Sequence, residues 1–376
     1  MSILFKPFQF GPISLQNRFI RSATCSNLAD HEGRPTKALI QWYADLAKGG
    51  IGMINTGIIK PKLSWNSVNK TLSLTLSDQS RLPAFKKLVE RVHEFGTKIT
   101  AQMSSYFTGD SNNHLAPSPL PDNIKNPKHK SVVAFETDIK NAVKIYGQLA
   151  ALIREAGFDA VQIHAAHGYG IHQFISPFFN KRTDSYGGSV ENRFRIILEI
   201  KNEIAKKAGK DFPVWVKLAT GDFLEGGMSI EDSIDIAKLL EKAGFIAIEP
   251  SCGSLFGNWN SRGPIDNNQW REGYSMEFAE KIKKNVSIPV VVVGGLRKFN
   301  LIEDFIKEGK SDLAAMSRAF IREPGLIKRW KNGDLSPSKC ISCDECFKKY
   351  YLSIKPIRCV FNQEYWDKIE QLLRSC

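Results

Sequence analysis

Three of the chain's seven histidines fall in one short segment, Gln162-Ile163-His164-Ala165-Ala166-His167-Gly168-Tyr169-Gly170-Ile171-His172. Two imidazoles followed at once by a phenol can hold a polarised carbonyl or nitro oxygen and deliver a proton beside it. A two-histidine metal site is the competing reading, but no Asp or Glu in the segment completes a ligand set. The stretch that follows, SPFFNKRTDSYGGSVENR (176–193), is dense in turn formers and charges. It reads as a rigid, hydrogen-bonded brace for the site, with Ser189 as the N-cap of the next helix.

Cysteines make a second concentration of chemistry. Four of the seven are spaced Cys340-x2-Cys343-x2-Cys346-x12-Cys359. Three thiols in a compact turn and a fourth from further on can enclose a soft metal centre. Zinc in a four-cysteine site satisfies the same geometry, and a set of reduced, empty thiols is the bland alternative. The odd total, with Cys25, Cys252 and Cys376 apart from the group, argues against a disulfide framework.

These residues need a scaffold, and the hydropathy pattern supplies one. Apolar, β-branched runs of strand length recur at 18–25, 50–58, 98–104, 158–165, 213–220, 245–252, 289–295 and 312–319. They are apolar at nearly every position, as strands of a parallel sheet covered on both faces must be. Amphipathic stretches alternate with them around 37–48, 79–95, 137–156, 189–207, 230–243, 275–284, 300–309 and 323–332. Glycine closes several of these helices: Gly49-Gly50, Gly96, Gly157, Gly244 and Gly309. Eight βα units fill one closed barrel. An open doubly wound sheet would carry a glycine-rich phosphate turn after its first strand, and RSATCSN is not one. The expected fold is therefore α/β, a TIM (β/α)8 barrel over 1–335, with a C-terminal cysteine-containing extension, 336–376, packed on it. The histidine segment then lies at the C-terminal end of the fourth strand, the face where barrel enzymes build their sites. Two long loops, 105–135 and 253–274, leave the same face and read as functional lids.

Composition excludes several other classes. Of 376 residues, 52 are Lys or Arg and 39 Asp or Glu, a formal charge of +13. The lysines are scattered in pairs along polar helix faces and form no basic stripe, so no nucleic-acid partner is expected. No apolar run approaches the roughly 18 residues that would span a bilayer, and the start is broken by Pro7, Gly11 and Pro12. The expectation is a cytoplasmic protein with no membrane partner.

Several of these motifs together resemble one family. HAAHGY, SPFFNKRTDSYGGSVENR, LQNRF near the start, VVGGLR and SRAFIREP occur in the order found in the old yellow enzyme family, the FMN-dependent NAD(P)H:flavin oxidoreductases. The resemblance covers almost the whole chain and implies roles for particular residues. Ser22, Ala23, Thr24 and Cys25 would lie against the flavin ring, where a hydroxyl or thiol at the O4/N5 edge tunes its reduction potential. Gly57 would let the ring approach closely. Gln102 matches the glutamine that reads the pyrimidine edge. Lys217 stands where the family has Arg, and either cation can stabilise the N1/O2 region of reduced flavin. Gly294, Gly295, Ser317 and Arg318 match the phosphate site that follows strands seven and eight.

The resemblance also implies a reaction. NAD(P)H reduces the flavin, His164 and His167 hold the oxygen of an activated alkene, and Tyr169 protonates its α-carbon after hydride reaches the β-carbon. The cysteine spacing is similar to that of the trimethylamine dehydrogenase and 2,4-dienoyl-CoA reductase branch, where it ligates a [4Fe–4S] cluster. Two departures concern the substrate space. Gln102-Met103-Ser104-Ser105-Tyr106 replaces the usual His-x-Gly-Arg after strand three, and Asn27 stands where many members have an aromatic residue. The expected function is thus an ene-reductase acting on a small molecule. Its rivals are an amine-oxidising demethylase that passes electrons to the cluster, and a non-catalytic redox or metal sensor. The choice between NADH and NADPH, and whether the chain forms a homo-oligomer, stay open.

Overall fold

The computed structural model describes residues 2–61, 73–104, 114–120, 131–257, 259–264, 271–351 and 355–374. Much of the 105–135 loop and part of 253–274 lie outside the described residues, as do Ser105, Tyr106 and Cys376. Among the described residues, eight barrel strands alternate with eight helices. The strands are β1 (Phe19–Arg21), β2 (Met53–Asn55), β3 (Lys98–Met103), β4 (Ala160–Ala165), β5 (Val214–Ala219), β6 (Ile248–Ser251), β7 (Val291–Val293) and β8 (Leu313–Met316). The helices are α1 (Lys37–Lys48), α2 (Leu82–His93), α3 (Glu136–Glu155), α4 (Val190–Ala208), α5 (Ile230–Lys242), α6 (Met276–Lys283), α7 (Phe299–Lys307) and α8 (Leu326–Lys331). The strands hydrogen-bond in the order β6-β5-β4-β3-β2-β1-β8-β7. Ile248 also forms a parallel bridge with Val290, beside β7. Neighbours in sequence are neighbours in the sheet, which is the (β/α)8 order. Among the described residues no helix is long and apolar enough to cross a membrane.

Burial explains the strand composition. All six residues of β4, AVQIHA, and all six of β5, VWVKLA, are buried. Polar residues in such strands have no water to turn to, so Gln162, His164 and Lys217 must find partners inside. Helix starts follow local chemistry. Thr36 accepts from Leu39 N ahead of α1, Ser189 accepts from Asn192 N as expected, and Ser229 forms a reciprocal capping box with Asp232. Gly50, Gly96, Gly157, Gly244 and Gly309 take the left-handed conformation, as the helix-closing glycines should. Gly49 differs. Its φ is −69°, and it is needed because a side chain there would run into the Pro324 carbonyl.

The chain forms two compact units. The first comprises 1–102, 152–161 and 295–376; the second comprises 103–151 and 162–294. In the first, the C-terminal helix Gln363–Arg374 lies on α1. Trp366 meets Trp42 edge-on at 5.2 Å, its indole N–H donates to Ile321 O, and the Tyr365 hydroxyl donates to Asp45. Arg329 donates to the carbonyls of Asp334, Ser336 and Pro337, which fixes the approach to the cysteine segment. In the second unit, the 176–193 stretch is the brace its composition implies. Arg182 donates to Pro117 O at 3.1 Å and Ala134 O at 2.6 Å and pairs with Asp184. The Asn180 amide donates to Phe174 O and Tyr186 O.

Candidate active site

Within the second unit, alternation along β4 puts Gln162 and His164 on one face. Beyond the strand the backbone turns sharply, with His167 at φ +66° and Gly168 at +81°. The left-handed region is costly for a non-glycine residue and persists only where neighbours hold it. Here His167 bridges Ser254, its carbonyl accepts from Leu255 N, and Gly168 N donates to His172 Nδ1 at 2.6 Å. A side chain on Gly168 would collide with Ser254 Oγ. The turn brings the predicted trio together. The His164 and His167 ring centres are 5.2 Å apart, and His164 lies 5.5 Å from Tyr169. His167 Nε2 shares a hydrogen bond with Ser251 Oγ at 2.7 Å.

Both imidazoles are neutral at pH 7. His164 is 4% exposed, and burial, then the Lys217 cation, lowers its pKa to about 3. His167 is lowered well below its ordinary value by burial first, then by His164 and Lys217. A neutral imidazole still offers one N–H donor without fixing a full charge on its ligand. His164 Nδ1 is buried and has no partner among the described residues, so the site has an unmet polar atom ready for a ligand.

One pleat below lies a polar floor. Lys217 and Glu249 are register partners on β5 and β6, and their charges meet at 2.7 Å. Gln162 Nε2 donates to the other Glu249 oxygen at 2.6 Å. Neither Glu249 nor Ser251 was singled out from sequence. The available signal was a lone acid inside the apolar run FIAIEPSC, because a buried carboxylate in a strand must be paired.

In the first unit, Arg21 organises the strand ends. Its buried guanidinium donates to Asn55 O at 2.5 Å, to Thr24 O at 3.2 Å and to Tyr43 OH at 3.3 Å. The guanidinium also stands over the Trp42 and Tyr43 rings. Tyr43 OH in turn accepts from Gly57 N. This network positions Ser22–Cys25 and Gly57 together. A side chain on Gly57 would strike Thr24 O, so glycine is required by close backbone approach. Thr24 Oγ1 and Ser317 Oγ are 2.6 Å apart, joining the segment after β1 to the one after β8. Gln102 is the penultimate residue of β3 and is 3% exposed. In the second unit, Gly294 takes φ +126° and lies against the Ser275 hydroxyl, which is buried without a partner among the described residues. Thr56 Oγ1, beside Gly57, is likewise buried and unpartnered among them. Orphaned polar atoms beside glycines at strand ends fit a bound polar cofactor. Asn27, expected to line substrate space, also makes a structural contact. It is 2% exposed, and its amide donates to Lys355 O, so it anchors the C-terminal segment.

Cys340, Cys343, Cys346 and Cys359 line one small opening, together with Arg318 and Arg322. Ser342 and Asp344 both adopt the left-handed conformation, which curls the Cys340–Cys346 segment round it. Arg318 pairs with Asp344 at 3.5 Å. Among the described residues no three His, Cys, Asp or Glu side chains are placed to hold a metal ion.

A barrel whose strand ends carry these donors and cradles has the layout of a flavin-dependent oxidoreductase. The comparisons agree: residues 3–335 match the NADH:flavin oxidoreductase / NADH oxidase family, and the chain belongs to it. It is 32% identical over 370 residues to an NADH oxidase of Thermoanaerobacter brockii, covering 96% of this chain and 56% of that protein. It therefore spans little more than half the length of that relative. An NADPH dehydrogenase of Bacillus subtilis is 33% identical over 333 residues, 85% of this chain and 92% of that one. Among solved structures, a 2-naphthoyl-CoA reductase complex superposes with a TM-score of 0.86 at 24% identity, covering 96% of this chain and 57% of that one. The last likeness speaks for the fold alone.

The histidine pKa values carry a stability signature. A base whose folded pKa lies below its unfolded value binds more protons when unfolded, so stability falls as pH drops from about 6.5 towards 3. Each such group contributes a slope of up to about 1.4 kcal/mol per pH unit in that window. Urea unfolding of His164→Gln between pH 7 and pH 4 should show a shallower decline than the parent. Parallel declines would contradict the assignment of a buried, neutral His164.

Proposed function

We propose that the chain is an FMN-dependent reductase of activated C=C bonds, with NAD(P)H as the reductant. The observation that carries this reading is the neutral His164–His167 pair with Tyr169 beside it, at the end of a fully buried strand. Ser22, Ala23, Thr24, Cys25, Gly57, Gln102 and Lys217 would hold the isoalloxazine ring. Gly294, Gly295, Ser317 and Arg318 would hold the phosphate. When bound, FMN supplies the hydride carrier between NAD(P)H and the substrate. The two imidazoles donate N–H bonds to the substrate's electron-withdrawing oxygen and polarise the alkene. Ser251, bonded to His167 Nε2, keeps that ring in place. Tyr169 gives its phenolic proton to the α-carbon and regains one from solvent.

The cysteine segment would add a [4Fe–4S] cluster held by Cys340, Cys343, Cys346 and Cys359. The Cys340-x2-Cys343-x2-Cys346-x12-Cys359 spacing supports this reading, with zinc in a four-cysteine site as the alternative. Such a cluster supplies one-electron transfer. Arg318 pairs with Asp344 of this segment, and Ser317, the residue before it, lies 2.6 Å from Thr24 Oγ1.

Two measurements test the reading. Tyr169→Phe should slow enone reduction by about 10²-fold or more while reduction of bound flavin by NAD(P)H stays near the parent rate. Equal loss in both half-reactions would remove Tyr169 from the protonation step. Metal and sulfide analysis of anaerobically purified protein should give about four irons per chain. About one zinc would replace the cluster with a structural site, and neither metal in any preparation would reject both.

A further inference from the structure

We propose that Glu249 is a positioning residue that aims Lys217 and offsets the positive field Lys217 presents to the cofactor. The proposal rests on the reading above in one respect, that Lys217 is the cation beside the flavin's N1/O2 region.

The geometry is specific. Lys217 and Glu249 face each other across β5 and β6, Nζ to Oε1 at 2.7 Å, with side chains only 5% and 0% exposed. Gln162 Nε2 takes the second carboxylate oxygen at 2.6 Å. Both oxygens of Glu249 are thus committed, and the carboxylate cannot turn away from the ammonium. A lysine ammonium is a compact point charge on a flexible stem, unlike the planar guanidinium fork, and has no built-in direction. The fixed carboxylate supplies the direction. It also gives the buried ammonium the hydrogen-bonded counter-charge that such a group needs. Screening by salt is weak at such depth, so each charge acts on whatever lies within a few ångströms. The pair sums to zero. A cofactor that gains negative charge on reduction is stabilised less by this pair than by an unaccompanied cation.

The experiment compares wild type, E249Q, K217Q and the double variant K217Q/E249Q, each loaded with FMN. Quenching of FMN fluorescence on binding is measured first. A wild type that does not bind FMN refutes the functional reading itself. With FMN bound, the ratio of reduced to oxidised flavin is read against a reference dye at the poise where wild type is half reduced. E249Q should raise the ratio about tenfold, equivalent to about 30 mV for a two-electron couple. K217Q, which leaves Glu249 uncompensated, should lower it by a similar factor. The double variant has no unpaired buried charge, which guards against loss of folding. Cancellation places its ratio within about threefold of wild type, or about 15 mV. Folded, FMN-bound E249Q with an unchanged or lowered ratio would make Glu249 a strut with no influence on the cofactor. Should E249Q fail to fold, a double variant displaced about tenfold from wild type overturns the proposal by itself.

Discussion

A strand buried on both faces makes an unanswered charge costly, and the buried Arg21 and Lys217 both obey that constraint. Arg21 in β1 is nine-tenths or more buried and survives because two carbonyls and the Tyr43 hydroxyl receive its N–H groups while two aromatic rings flank it. Lys217 in β5 survives because Glu249 meets it from β6. Removing one partner from such a group leaves an uncompensated charge and costs about 3–5 kcal/mol. The site residues are therefore fixed by the same contacts that let the strands exist.

That dependence shapes the chemistry. The burial that forces Lys217 into a pair also keeps His164 and His167 neutral, so they offer N–H donors without the charge of imidazolium. The strained turn at His167 is affordable because bridges to Ser254 and Leu255 and the bond from Gly168 to His172 surround it. In the first unit the Arg21 network plays the corresponding part, presenting Thr24 and Gly57 from two different strands. The C-terminal segment joins the same neighbourhood: Ile357 N donates to Ser26 O, one residue beyond Cys25.

Much of this was legible in the chain itself. Continuous apolar runs locate all eight strands, because burial on both faces leaves no alternation to misread. Ser189 as a cap and the HAAHGY segment as a site depend on spacings of a few residues, which sequence displays directly. What was not legible depends on register between strands. Glu249 meets Lys217 across 32 residues and Gln162 across 87, and neither separation has a local signature. The bond from the Asn27 amide to Lys355 O likewise joins residues more than 300 apart and has no local signature. Arg21 could have been flagged as a lone cation in an apolar strand, but not its partners.

The proposed function has the FMN-loaded chain carry hydride from a nicotinamide to an electron-poor alkene. Anaerobic titration of the FMN-loaded protein with NADH and NADPH, followed by cyclohexenone, tests it most directly. The account predicts that one nicotinamide bleaches the flavin absorbance and that the enone restores it with formation of cyclohexanone. Flavin that neither nicotinamide reduces, or reduced flavin that a panel of enones leaves bleached, would contradict it.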